Sequence, residues 1–147
     1  QLSVTGPDGF AGERACRDNG MRVTVTSLLE AKAGLIGFTT QYGDGVGHWQ
    51  GDLPLVGHGY EVELSVDAVL SCGTDLNVVR GGASPMLRVA GVRTELVGEL
   101  IVVEEDGTAV VRMAESVLMF EVLGDTPTLP SWVRLGPLRL SLYDTSI

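Results

Sequence analysis

Two apolar runs on either side of an Asp-Gly pair constrain the fold of this chain more than any other feature. The first run, residues 95–104, is rich in β-branched side chains, and Glu105-Asp-Gly107 interrupts it. The apolar pattern resumes over residues 108–113 and continues over residues 116–122. Asp-Gly between two such runs is the strongest short-range signal of a β-hairpin, because the turn needs residues that tolerate a positive φ. The chain is therefore predicted to be mostly or wholly β.

The rest of the chain contains further short alternating runs separated by turn residues. The clearest is residues 60–66, where every second residue is apolar and where Glu61 and Glu63 are predicted to face water. About ten short strands with turns every 8–12 residues or so predict an all-β fold, either a small barrel or a two-sheet sandwich.

Two segments are predicted to depart from this strand pattern. Ser27-Leu-Leu-Glu30 matches a helical capping box, which predicts a helix of at most two turns over Ser27–Ala33, ended by Gly34. Residues 41–59 are glycine-rich and show no periodicity, so they are predicted to form a long loop. Loops of such length inside a compact domain are often functional.

The sequence contains a faint internal repeat. At an offset of 73 residues, Gly34 aligns with Gly107, and Gly51-Asp52 aligns with Gly124-Asp125. The alignment is interpreted as a chance match of common turn residues. The alternative is two similar β units that share one core, residues 21–90 and 91–147.

The chain length of 147 residues suits one ordinary domain, predicted to span residues 21–147. The apolar pattern begins at Met21, and residues 1–20 carry no periodic apolar face. These twenty residues are predicted to be an extension upstream of the domain, native or artificially added. The alternative is an arm that lies on a partner.

Over roughly residues 95–143 the pattern is similar to that of a five-stranded oligonucleotide/oligosaccharide-binding barrel. A glycine-containing first strand is followed by a hairpin and then by Trp132-Val-Arg-Leu135 as a late strand. The resemblance implies a barrel that binds single-stranded nucleic acid or a small ligand. Arg134 and Arg139 near Trp132 are the candidate contact residues for a single strand. The alternative is that both arginines pair with carboxylates of neighbouring strands.

The charge of the chain excludes some partners. The formal net charge is −9, and both halves are acidic: residues 1–90 carry ten Asp and Glu against six Lys and Arg, and residues 91–147 carry nine against four. Duplex nucleic acid and anionic membranes are disfavoured, because binding to either depends on Lys and Arg. A basic protein partner remains open, and so does the alternative that acidity only maintains solubility.

The two cysteines, Cys16 and Cys72, do not make a disulfide framework. Two reduced thiols in a cytoplasmic protein are predicted, although a disulfide between them is the alternative. The excess of Arg over Lys, with abundant Gly and Val, indicates a GC-rich bacterial genome. No apolar run approaches the roughly 18 residues that are needed to span a bilayer as a helix.

The predicted loop, residues 41–59, supplies the candidate binding residues, which are His48, Trp49, Asp52 and His58. A tryptophan among glycines is predicted to anchor a partner, because Trp is enriched at interface hot spots. The alternative is that Trp49 folds back and plugs one end of the barrel.

No metal site, cofactor or catalytic residue is predicted. Asp44, His48 and Asp52 are the best metal candidates, but they are read as polar loop residues, and Glu104-Glu-Asp106 is read as a solvated turn. The only histidines are His48 and His58, and no nucleophile elbow or phosphate-binding loop accompanies them.

These observations together predict a non-enzymatic, acidic β-protein that acts by binding another protein, as an inhibitor, an immunity-type factor or an accessory subunit. A homo-oligomer is also possible. The alternative is a barrel that binds a small ligand or single-stranded nucleic acid.

Overall fold

The computed structural model describes residues 20–114 and 116–145, of which 66% lie in strands and 2% in a helix. The prediction of an all-β fold is confirmed. The predicted N-terminal extension, apart from Gly20, lies outside the described residues. The strands are β1 (Met21–Glu30), β2 (Leu35–Thr40), β3 (Gly43–Gln50), β4 (Gly59–Val66), β5 (Val69–Ser71), β6 (Leu76–Val78), β7 (Met86–Ala90), β8 (Arg93–Val103), β9 (Thr108–Met113), β10 (Ser116–Leu123), β11 (Ser131–Leu138) and β12 (Leu140–Asp144).

Strands β1 to β4 form a Greek key. β1, β2 and β3 are consecutive antiparallel neighbours, and β4 returns to lie beside β1, which gives the spatial order β4-β1-β2-β3. The C-terminal strand β12 then fills the gap: Leu142 pairs with Trp49 of β3 in parallel and with Leu64 of β4 in antiparallel orientation. The result is a closed barrel of five strands.

Strands β8 to β11 form a second Greek key with the same connectivity. Its spatial order is β11-β8-β9-β10. Here two short strands from the first half of the chain share the closing position. β5 pairs in parallel with β10, β6 pairs antiparallel with β11, and a bridge between Cys72 and Leu76 joins the two.

The strand bounds follow the repeat at an offset of 73 residues. β2 and β9 coincide residue for residue under this offset, as do β3 and β10, and β8 and β11 start one residue early relative to β1 and β4. The glycines that the sequence alignment paired, Gly34 and Gly107, both have positive φ, +70° and +93°. Each Greek key is nevertheless completed from the other half of the chain, the first by β12 and the second by β5 and β6.

The expected loop over residues 41–59 is wrong for Gly43–Gln50, which form β3. The glycines of β3 make space for large neighbours. A Cβ on Gly45 would lie 2.5 Å from the ring of Phe38, its cross-strand partner, and one on Gly47 would lie 2.5 Å from Leu142. The glycines were interpreted as turn residues, whereas their function here is to leave room for side chains of adjacent strands.

The second hairpin reverses this arrangement. The pairs equivalent to Phe38–Gly45 and Ile36–Gly47 are Val111–Leu118 and Ala109–Phe120, so the large residues now lie on the other strand. Leu118, Phe120, Val111 and Ala109 are all buried. Both hairpins therefore fill the barrel interior, but with opposite distributions of side-chain volume.

The predicted helix over Ser27–Ala33 is also wrong. β1 continues to Glu30, and only Ala31–Ala33 form a single 3-10 turn without a side-chain cap. Ser27 pairs with Gly37 across the sheet, where a Cβ on the glycine would lie 2.6 Å from the Ser27 hydroxyl oxygen. Two irregularities in the pairing of β1 with β2 let the strand bend and continue.

Both units contribute to one cluster of buried apolar side chains, which includes Phe38 and Trp49 from the first unit and Leu96, Phe120 and Leu135 from the second. The buried cluster is therefore continuous between residues of both Greek keys. Among the described residues, no helix has the length and apolarity that are needed to cross a membrane.

Candidate functional site

Trp49 lies inside the first barrel. The residue is only 5% exposed, and its ring packs edge-on against Tyr60 with 5.0 Å between ring centroids. Its backbone N–H donates to the Gly34 carbonyl at 2.7 Å. The expectation that Trp49 is displayed on a loop is wrong, because it alternates inward along β3. The alternative, a tryptophan that plugs the barrel, agrees with its burial.

The other three predicted residues are distributed over a strand and a loop. His48 is half-buried on the opposite face of β3 from Trp49, and its Nδ1 lies 3.1 Å from the carbonyl oxygen of Ala33. Asp52 and His58 are exposed in the connection between β3 and β4, and the carbonyl of His58 accepts from the N–H of Val25 at 3.0 Å. A role of these three residues in binding stays a prediction.

The metal candidates do not converge either. Asp44 and His48 lie four residues apart on one strand, which places their Cα atoms about 13 Å apart at the usual rise of a β-strand. In the described ranges, no group of three or more His, Cys, Asp or Glu side chains is placed to hold a metal ion. The part of the predicted loop that remains a loop exposes apolar residues instead, of which Leu55 is the most exposed at 60%.

The outer face of the second hairpin is apolar and exposed. β10 alternates strictly between buried and solvent-facing side chains. The buried set contains Leu118, Phe120 and Val122, and the exposed set contains Met119, Glu121 and Leu123. Met119 is 56% exposed and Leu123 is 63% exposed, so two large apolar side chains project from a regular strand into solvent.

Neighbouring strands extend this apolar surface. Val110 of β9 pairs with Met119 on one side and with Val102 of β8 on the other, so the three side chains form one cross-strand row. Val102 is also exposed. The outward residues Val102, Val110, Met119, Glu121 and Leu123 are named here the β9–β10 face.

Carboxylates border the β9–β10 face. Glu121 belongs to it, and the exposed turn Glu104–Asp106 lies at the same end, where Gly107 accepts from the N–H of Val122 at 2.9 Å. The N–H of Thr108 donates to Asp106 at 2.9 Å, and this bond lowers the pKa of the Asp106 carboxyl. Asp106 therefore stays ionised to a lower pH than an isolated aspartate.

Positive charge near this face is neutralised. Arg112 is the nearest arginine on β9, and its guanidinium pairs with Glu99 of β8 at 2.9 Å. The surface around the apolar row is therefore negative.

The equivalent face of the first hairpin is covered. Val46, which corresponds to Met119 at the repeat offset, is only 5% exposed. Its N–H donates to Oγ1 of the fully buried Thr94 at 2.8 Å, and Thr94 donates to the Val46 carbonyl at 2.7 Å. The hydroxyl satisfies the backbone of β3 between Gly43, which pairs with β7, and Gly47, where pairing with β12 begins.

The predicted basic and aromatic patch is assembled only in part, because Trp132 and Arg134 lie two residues apart on the same face of β11 and Arg139 lies beyond this strand. Trp132 is half-buried and pairs across the sheet with Glu99, while Arg134 pairs with Val97. Arg139 lies between β11 and β12 and lines a separate cavity. In the part of the chain that the structure describes, neither arginine forms an ion pair, so the alternative of strand-to-strand pairing is wrong.

Cys72 is half-buried beside the bridge that joins β5 to β6. Burial raises the pKa of its thiol, and the carboxylate of Asp125 raises it further. The thiol is therefore less ionised at neutral pH than a free cysteine. Cys16 lies outside the described residues, and its predicted reduced state stays a prediction.

Comparison with protein-family models, with curated proteins and with solved structures found no match for this chain.

Sequence reasoning recognised the strand over residues 116–122 but missed its outward face. The signal was present, because Met119 breaks the alternation of apolar and polar positions by placing a large apolar residue on the solvent side.

Proposed function

We propose that the protein is a non-enzymatic binding protein that docks another protein on the β9–β10 face. The observation that carries the proposal is the exposed row Val102–Val110–Met119 with carboxylates at its border. Exposed apolar patches with polar rims are characteristic of protein interaction sites. An inhibitor, an immunity-type factor and an accessory subunit would each work through such a surface.

Charge determines the chemistry of the proposed partner. The chain has a net charge of −9, and Glu121 and the turn Glu104–Asp106 lie at one end of the apolar row. Such a surface favours a partner that inserts apolar side chains and carries Lys or Arg around them, since complementary charge accelerates encounter and fixes orientation. A cytoplasmic location in a bacterium belongs to the same proposal and rests on composition alone.

Single-stranded nucleic acid has less support as the ligand. Barrels of the oligonucleotide-binding class bind their ligands on the face of strands two and three, which correspond to β9 and β10 here. Base stacking on such a face needs aromatic rings, and the β9–β10 face has none. The experiment below also distinguishes a different protein partner from a second copy of this chain.

The test combines photo-crosslinking with affinity measurements. A photoreactive phenylalanine at position 119 should crosslink a partner in cells of the native source, and that partner is then purified. We expect Met119→Asp to weaken its affinity by about tenfold or more, equivalent to ~1.4 kcal/mol, in calorimetry. Affinity should also fall as salt concentration rises.

Leu55→Asp is the matched control, because Leu55 is 60% exposed and Met119 is 56% exposed. If Leu55→Asp abolishes binding and Met119→Asp does not, the binding surface is the loop between β3 and β4, and the proposal is wrong. Crosslinking of the chain to itself, with dimer formation in light scattering, would identify a homo-oligomer instead.

A further inference from the structure

A second candidate site lies away from the β9–β10 face, where the chain crosses between the two Greek keys. A cavity of about 300 Å³ is lined by Val66–Leu70, which lead from β4 into β5, and by Pro137–Arg139, which lead from β11 into β12. Asp75 and Arg93 complete its wall. The volume is at the lower end of the range for pockets that hold small organic ligands.

The carboxylates of this cavity already have hydrogen-bond donors. The Asp67 carboxylate accepts from the Ser141 hydroxyl at 3.3 Å and from the Ser65 hydroxyl at 3.4 Å. The Asp75 carboxylate accepts from the N–H of Ser71 at 2.9 Å. Both aspartates are therefore held by the crossover segments and their neighbours.

The two arginines of the cavity differ from the paired arginines elsewhere. Arg22, Arg88 and Arg112 each form an ion pair with a carboxylate. Within residues 20–114 and 116–145, no carboxylate pairs with Arg93 or Arg139, although Asp67 and Asp75 line the same cavity. Two guanidinium groups with free N–H donors thus border one concave site.

We propose that this crossover cavity binds a small organic monoanion with a carboxylate group. The carboxylate would pair with the guanidinium groups of Arg93 and Arg139, since arginine forms strong charge-assisted hydrogen bonds with carboxylates. The apolar part of the ligand would contact Val66, Leu70 and Leu138, which also line the cavity.

The neighbouring aspartates define the class of ligand. Asp67 and Asp75 place negative charge in the wall, so a dianion or a polyphosphate would meet like charge that a monocarboxylate largely avoids. Because both crossover segments line the cavity, a bound ligand would contact both halves of the chain at once.

The first arm of the test compares three probes: benzoate, the neutral analogue benzyl alcohol, and inorganic phosphate. We expect benzoate to shift backbone amide resonances of residues 66–70 and 138–139 in a saturable titration. Benzyl alcohol and phosphate should bind at least about tenfold more weakly, because each lacks either the charge or the apolar part. Equal binding of benzyl alcohol, tighter binding of phosphate, or no saturable shift with benzoate would overturn the proposal.

The second arm uses variants of the arginines. Arg93→Gln and Arg139→Gln should each weaken benzoate binding by about tenfold, as expected when a charge-assisted hydrogen bond is lost. Arg80→Gln is the control, because Arg80 is exposed and lies outside the cavity. An amide spectrum that keeps its dispersion verifies that each variant is folded. Unchanged affinity in both cavity variants would overturn the proposal.

Discussion

The hairpins β2–β3 and β9–β10 share strand bounds and register at the repeat offset, yet they differ on both faces. On the inner face, the first hairpin places Phe38 opposite Gly45, whereas the second places Val111 opposite Leu118. The difference teaches that the barrel interior requires a certain volume at each cross-strand pair and not a certain residue on each strand, since interiors are close-packed.

The outer faces differ in what covers them. Val46 on the first hairpin is buried and its backbone is hydrogen-bonded to Thr94 of the second unit, whereas Met119 at the equivalent position is open to solvent. One copy of the hairpin therefore uses its outer face to join the two units. The other copy leaves that face available, which is why the proposed partner site occurs only once.

The largest difference in unfolding free energy is expected when a lysine is placed, in separate variants, at the equivalent positions 46 and 119. Val46→Lys should cost about 3–5 kcal/mol of unfolding free energy, because it leaves a buried charge without a partner. Met119→Lys should change stability by no more than about 0.5 kcal/mol, as is usual for exposed positions. Denaturant titration of both variants measures the difference. Similar losses would show that the two faces are not covered differently.

Thr94→Val tests the hydrogen bonds that join Thr94 to the backbone of Val46. The variant keeps the shape of the side chain but leaves the N–H and C=O of Val46 unpaired, and each unsatisfied buried group costs about 1–3 kcal/mol. We expect a total loss of about 2 kcal/mol or more in thermal or chemical unfolding. Thr94→Ser retains the hydroxyl and should lose less. Equal losses in the two variants would mean that the methyl group matters and the hydrogen bonds do not.

Exchange of side-chain volume between the hairpins gives a further test. Gly45→Leu should cost about 1–3 kcal/mol, because its side chain would overlap the ring of Phe38. The double variant Gly45→Leu with Phe38→Val reproduces the pair Leu118–Val111 of the second hairpin. We expect it to be more stable than the sum of the single variants by about 1 kcal/mol or more in a double-mutant cycle. Additive losses would contradict the volume argument.

The smallest expected effect is on the alkylation rate of Cys72, in the strands that close the second Greek key. Cys72 lies where β5 and β6 share the position that β12 fills alone in the first barrel. In a Cys16→Ser background, alkylation of Cys72 at pH 8 should be slower than that of a free cysteine, because burial and Asp125 raise its thiol pKa. Asp125→Asn should lower that pKa and speed the reaction a few-fold. An unchanged rate would exclude an effect of Asp125.

Most strands of this fold were predictable because their apolar side chains alternate. β3 and the end of β1 were not, and the reasons are physical. Glycine is the commonest turn residue, so Gly43, Gly45 and Gly47 resemble a loop unless the neighbouring Phe38 and Leu142 are known to occupy their space. The Ser27–Glu30 pattern can cap a helix, but pairing with β2 satisfies the same backbone groups.

The candidate site was predictable only in part. Binding to another protein was expected, but the contact was assigned to Trp49 in a loop. Whether an apolar residue such as Met119 is buried or exposed depends on what covers its strand, and that depends on pairing between distant segments. The cavity between Arg93 and Arg139 was beyond local reasoning for the same reason.

The exchange of closing strands has a consequence for biosynthesis. Leu140–Asp144 complete the first barrel, which otherwise consists of residues 21–66, so this barrel stays open until Asp144 has left the ribosome. Until then β1 to β4 present unpaired strand edges, a state that invites misassembly with neighbouring chains. Because each half needs strands from the other, both halves complete their folding together and late. The contacts that complete them join residues far apart in sequence, and such contacts form slowly.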